Sequence, residues 1–146
     1  MKLSTKGTYG LRAILDIAEN QDRGAVSISS IAERQMLSEN YLEQLMSKLK
    51  KAELIESIRG AQGGYVLAKE PEDISVGEIL RALEGGLSPV QCSAIDGMGE
   101  RCGIESSCTI KYVWQKIDDS INDAVNNIHL NELVKVSRNN ETVCPV

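Results

Sequence analysis

Apolar residues in the first half of the chain follow two rhythms. Tyr9, Leu11, Ala13, Ile14, Leu15, Ile17 and Ala18 recur at roughly helical period behind Ser4 and Thr5, hydroxyl residues able to cap, and this predicts a helix ending near Glu19. Asn20 to Gly24 is its polar exit. Ile28 to Gln35 predicts a second, short helix with Ile28, Ile31 and Ala32 inward; Met36 and Leu37 form a tight turn, and Ser38 caps a third helix. In that third helix Leu42, Leu45, Met46 and Leu49 fall at i, i+3, i+4 and i+7 and define one buried stripe. At about 100° per residue the opposite face is centred on Asn40, Gln44, Ser47, Lys48 and Lys51, flanked by Tyr41 and Glu43.

The rhythm then changes. Leu54 to Ile58 and Tyr65 to Ala68 read as two short strands around Arg59-Gly60-Ala61-Gln62-Gly63-Gly64, a hairpin whose glycines permit positive φ. Helix, turn, helix and hairpin together predict a winged helix-turn-helix, with the amide- and cation-bearing face of the third helix suited to a major groove and Arg59 at the wing's edge. The same face also fits an ordinary solvated helix. A phosphate-cradling loop is disfavoured, since no Lys-Ser/Thr follows the glycines.

Pro71-Glu72-Asp73 breaks the pattern, and Ser75 with Glu78 forms a capping box that opens a helix running through Ile79, Leu80 and Leu83 to Gly85-Gly86. Leu87 to Ser106 has no periodicity and predicts a long irregular loop. From Ser107, the residues Ile110, Val113, Trp114, Ile117, Ile121, Ala124, Val125 and Ile128 keep one apolar stripe for about five turns, with Gln115, Asp118, Asp119, Asn122 and Asp123 opposite. So small a domain covers only part of that stripe, which favours pairing with the same helix of a second copy in a two-fold dimer over packing within one chain. Leu130 to Val134 adds a short terminal helix. The expected organisation is a winged helix-turn-helix DNA-binding domain at 1–74, a linker helix, cysteine loop and dimerisation helix at 75–134, and a mobile tail at 135–146.

Composition sharpens this picture. There is no Phe and aromatics are 3% of residues, so the core must be aliphatic, which suits a mainly α fold with a small β-hairpin. The net charge of −5 resides in the C-terminal half: residues 1–70 hold ten Lys/Arg against nine Asp/Glu, and residues 71–146 hold six against twelve. Double-stranded DNA therefore stays open as a partner where Lys48, Lys50, Lys51 and Arg59 gather. No window is apolar enough to span a membrane, and the expected location is the cytoplasm. A lone histidine, His129, leaves no Ser-His-Asp or Cys-His arrangement, so an enzyme is not expected.

Cys92, Cys102 and Cys108 fall within seventeen residues, and in a reducing compartment such a cluster reads first as a soft-metal or redox site. Three thiolates in one loop suit an iron-sulfur cluster. Zinc usually takes a closer cysteine pair than any present here, while reversible sulfenate or disulfide chemistry without metal remains open.

Leu3-Ser4-Thr5-Lys6-Gly7, Tyr41-Leu42-Glu43-Gln44-Leu45, Arg59-Gly60 with Gly63-Gly64-Tyr65, Val76-Gly77-Glu78-Ile79 and the cysteine loop, taken together, resemble the iron-sulfur cluster regulator (IscR) family over about residues 1 to 134. The resemblance implies a homodimeric bacterial transcription regulator, a repressor or activator, whose bound cluster, 2Fe-2S in preference to 4Fe-4S, changes its DNA choice. It implies that Asn40, Tyr41, Glu43 and Gln44 approach bases, with Ser38, Ser47, Lys48, Lys51 and Gly60 around them, that Arg59 enters the minor groove, and that Cys92, Cys102 and Cys108 hold the cluster. Related members without the cysteines control sulfur metabolism, which makes a cluster-free repressor or thiol switch the alternative. Two departures stand out. The cysteines are separated by nine and then five residues, and Lys111 occupies the position of the family's ligating histidine; an ammonium has no lone pair for iron. Thr8 stands where one branch of the family has an aspartate. Asp96, Glu100, Glu105, Thr8, Cys144 or a small molecule are the candidates for the fourth ligand.

Overall fold

The computed structural model describes residues 3–89 and 109–139. Six helices and one hairpin follow in order: α1 (Thr5–Asn20), α2 (Ile28–Gln35), α3 (Glu39–Lys51), β1 (Ile55–Ile58), β2 (Gly64–Leu67), α4 (Val76–Glu84), α5 (Ile110–Asn126) and α6 (Leu130–Asn139). The mainly α architecture with a small antiparallel wing is the one expected from the pattern.

Local chemistry fixes each start. The side chains of Ser4, Ser27, Ser38 and Ser75 accept backbone N–H groups of α1, α2, α3 and α4, and the reciprocal capping box of Ser75 and Glu78 is formed. The turn between α2 and α3 is made by Met36 in the left-handed conformation, φ 56°, with its side chain in solvent. In the wing Ile55 pairs with Leu67 and Ile58 with Gly64. Gly60 takes φ 121° at the turn, a region that a Cβ disfavours. Val26 and Tyr65 exchange backbone hydrogen bonds of 2.9 and 2.8 Å, which moors the wing to the segment before α2.

Among the described residues one core joins α1, α2, α3, α4 and α6. Ile14 and Ile17 of α1, Ile31 of α2, Leu42, Leu45, Met46 and Leu49 of α3, Leu54, Ile55 and Ile74, Ile79 and Leu83 of α4, and Leu130 and Val134 of α6 form a single buried cluster. The core thus spans both sides of residue 74, and α6 returns to pack on α1. Its placement is secured by backbone bonds from Val76 N–H to the Ile128 carbonyl and from Leu130 N–H to the Ile74 carbonyl, both 2.8 Å. Helix α6 extends through Asn139, five residues beyond the expected end at Val134, so residues 135–139 are helix and not tail. Residues 140–146, including Cys144, lie outside the described part.

A buried carboxylate braces the helix-turn-helix. Asp16, 2% exposed, accepts two bonds from Arg34 Nε (2.9 and 3.2 Å), one from Arg34 Nη2 (2.6 Å) and one from Gln35 Nε2 (2.9 Å). Gln35 in turn accepts from Arg12 Nε at 3.0 Å. A carboxylate removed from water is tolerable only with such partners. Arg34 is 41% exposed at its side chain and can rehydrate, whereas Asp16 cannot. Arg34→Met therefore costs about 3 kcal/mol, and Asp16→Asn, which removes the charge itself, roughly 1–2 kcal/mol, as read from urea midpoints at fixed m-value.

Candidate nucleic-acid interface

Helix α3 buries Leu42, Leu45, Met46 and Leu49 and turns Asn40, Glu43, Gln44, Ser47 and Lys51 to solvent, with Ser38 exposed at its amino-terminal cap. These five share the exposed side of one helix, a row of a hydroxyl, amides and charges able to meet base edges and phosphates. Arg59 and Gly60 are exposed on the wing, where β1 ends.

Two residues of the expected set are engaged elsewhere. Tyr41 is half-buried: its ring meets Tyr9 edge to face at 6.1 Å, and its hydroxyl shares a 3.2 Å hydrogen bond with Thr5 Oγ1. Arg12 lies 5.7 Å over the Tyr9 ring, so the Asp16 brace continues through aromatic contacts to α3. Lys48 is half-buried too, and its ammonium donates to the Leu83 carbonyl at 3.3 Å instead of standing free among groove-facing cations. The last turn of a helix leaves carbonyls without helical partners and attracts cations, which accounts for the deviation. Lys50 is drawn to the wing by a 2.7 Å bond to Ser57 Oγ.

The amino end of α1 is fastened to the carboxyl end of α4. Glu84 Oε1 accepts from Ser4 N–H (3.0 Å), Ser4 Oγ (2.6 Å) and Gly7 N–H (2.9 Å), while the Leu83 side chain lies against Gly10, where a Cβ would collide with it. The Ser4 hydroxyl foremost, then the two backbone donors and Lys6, hold the Glu84 carboxyl below the usual range, and burial opposes them only in part.

Helix α5 packs on α4 through a mixed face, with Val125 against Gly77, Ile121 and Val125 lining one cavity with Leu80, and polar bonds beside them. Arg81 Nη2 donates to Asn122 Oδ1 (2.9 Å) and Asn126 Oδ1 (2.6 Å), and Ser88 Oγ donates to Asp118 Oδ1 (2.8 Å). The sequence pattern placed Asp118 on the outer face; it is 2% exposed, because that face meets α4 and the segment after it. Ile110, Val113 and Ile117 are 60%, 49% and 37% exposed. His129 is half-buried, with Nδ1 3.7 Å from Glu132. Cys92, Cys102 and Cys108 lie outside the described residues, as do Asp96, Glu100 and Glu105; Lys111 and Thr8 are within them, on α5 and α1.

The Rrf2 family model, described as an iron-dependent transcriptional regulator, matches residues 3–136. The chain belongs to the Rrf2 family. Its curated relatives include the HTH-type transcriptional regulator CymR of Bacillus subtilis, 41% identical over 133 residues, which covers 91% of this chain and 89% of that protein. The HTH-type transcriptional regulator IscR of Escherichia coli is 38% identical over 146 residues, with 100% and 85% coverage. Among solved structures, CymR, the global cysteine regulator of B. subtilis, superposes with a TM-score of 0.77 at 39% identity, covering 93% of this chain and 98% of that one. IscR of T. potens gives 0.76 at 42%, covering 99% and 94%. This Rrf2 protein is accordingly a winged-helix, DNA-binding transcriptional regulator and not an enzyme. Among the described residues no helix is long and apolar enough to cross a membrane.

Sequence reasoning missed the residues that act across the chain: Asp16 and Glu84 belong to no local motif, and the Ser4–Glu84 bond spans 80 positions. Glu84 stabilises the fold fully at neutral pH, and because its folded pKa lies below the unfolded one, that contribution is lost as pH falls from about 4.3 through the lower folded value. The stability gap between wild type and Glu84→Gln should therefore close below about pH 4 in denaturant titrations. For DNA, Gln44→Ala should cost about 1–3 kcal/mol of discrimination between a preferred and a mismatched duplex, and Arg59→Ala should weaken binding and lower the salt slope by about 1, both measured by fluorescence anisotropy.

Proposed function

We propose that the protein is a homodimeric regulator that carries an iron-sulfur cluster, 2Fe-2S in preference to 4Fe-4S, and chooses its DNA sites by the state of that cluster. The observation that carries this reading is the sequence position of three thiols, Cys92, Cys102 and Cys108, after α4, which packs on α3, the recognition helix, and before α5, where Ile110, Val113 and Ile117 are exposed.

The donor set suits the group. Three soft, anionic sulfurs are what a cluster requires, and among the described residues no other group of three metal-binding side chains exists. Lys111 offers no lone pair, so the fourth position falls to a loop carboxylate, Thr8, Cys144 or a small molecule. When bound, the cluster supplies a group sensitive to iron supply, oxygen or nitric oxide. The thiolates would hold it, and the segment from Leu87 onward would pass its gain or loss to α4.

A second copy of α5 is the economical cover for Ile110, Val113 and Ile117, and a two-fold pair would set two recognition helices about one DNA turn (~34 Å) apart. In this division residues 1–74 read DNA, with Asn40, Glu43 and Gln44 at bases, Tyr41 steadying the helix beside them and Arg59 in the minor groove, and residues 75–134 sense and pair. A cytoplasmic location fits the same chemistry.

A cluster-free reading is favoured by one specific finding: CymR, the global cysteine regulator of B. subtilis, is as similar to this chain as IscR is. Under it the thiols act by oxidation, or the signal is sulfur supply.

Anaerobic purification decides between them. Brown protein with absorption between about 320 and 460 nm, bound iron and sulfide, and loss of all three in Cys92→Ala is the expected result. Colourless, iron-free protein that still binds DNA would assign the protein to the cysteine or thiol reading.

A further inference from the structure

We propose that Lys48 is a positioning residue for DNA reading, which fastens the recognition helix to the last turn of α4 and makes no phosphate contact. This rests on the family's DNA binding and is independent of which signal the cysteines read.

Lys48 lies on α3 beside residues that face solvent, yet its ammonium turns inward to the Leu83 carbonyl at 3.3 Å. Lys50 and Lys51, on the same turn, are exposed. The acceptor cannot drift. Leu83 is 1% exposed and wedged against Gly10, and its neighbour Glu84 holds three donors at the start of α1. Its carbonyl belongs to the final turn of α4, where carbonyls lack helical partners and the helix dipole favours a cation.

A second tie sits nearer the other end of α3, where Tyr41 meets Thr5 and Tyr9. Between Tyr41 and Lys48 stand Gln44 and Ser47, with Asn40 just before them. Two ties at separate turns fix the roll of a helix about its own axis. With side-chain tips roughly 5–6 Å from the axis, a roll of about 10° moves a tip by about 1 Å, enough to spoil a bidentate hydrogen bond to a base. Phosphate contacts by long, flexible cations tolerate such a shift. Loss of the Lys48 tie should therefore damage sequence reading and spare the electrostatic part of binding.

The test uses the full chain and two probes, a short duplex selected by wild-type protein from a random-sequence pool and the unselected pool itself, each titrated over a range of salt. Lys48→Met is expected to bind the selected duplex about tenfold more weakly, with its salt slope unchanged and its affinity for the pool unchanged. Lys48→Arg, which keeps a donor of similar reach, is expected to recover most of the loss. Lys48→Gln, too short for the carbonyl, is measured in parallel and should match Lys48→Met. A slope that falls by about 0.9, or an equal loss on both probes, would make Lys48 a phosphate ligand and overturn the proposal. Unchanged affinity for the selected duplex in Lys48→Met or Lys48→Gln would overturn it as well.

Discussion

The contact on which the other parts of this molecule depend is the crossing of α1 and α4. Gly10 lets the Leu83 side chain close on the α1 backbone, and Glu84 then supplies the acceptor that three donors at the start of α1 need. The recognition helix lies against the same turn of α4, and the thiol-bearing segment begins just beyond it. A bulky side chain at position 10 would force the helices apart and disturb DNA reading and sensing together. The joint is strong in the way of packed interiors: it is displaced as a unit and does not deform gradually.

How much of this was legible in the sequence depended on range. The caps at Ser4, Ser38 and Ser75, the stripe of Leu42, Leu45, Met46 and Leu49, and the Arg59–Gly64 turn are written within a few residues, and the pattern revealed them. The polar residues that bridge elements were illegible for the same reason. Asp16 sits among apolar neighbours with no sign of Arg34 eighteen positions later, and nothing near Lys48 points to a carbonyl 35 positions away. Asp118 shows a different failure. Periodicity separates the two faces of a helix but does not say where the body of the protein will meet it, and here the contact straddles the boundary, with Asp118, Asn122 and Asn126 inside it beside Val125.

The face of α5 that meets α4 mixes Val125 and Ile121 with Asp118, Asn122 and Asn126. Its hydrogen bonds of defined geometry hold the helix in one orientation, and Ile110, Val113 and Ile117 stay exposed toward its amino end. CymR, the global cysteine regulator of B. subtilis, and IscR of T. potens share this frame, with TM-scores of 0.77 and 0.76.

Mechanically, α5 is held at its carboxyl half. From Asp118 to Ile128 the chain is clamped, by Ser88, by Arg81 and by the backbone bond that joins Ile128 to Val76. From Ile110 to Ile117 the helix runs for about 12 Å with no fully buried residue. In the sequence Cys108 stands two residues before the first helical position. In the proposed dimer the partner helix would cover this stretch, so a turn of one α5 against the other would arrive at α4 as torque through the clamp.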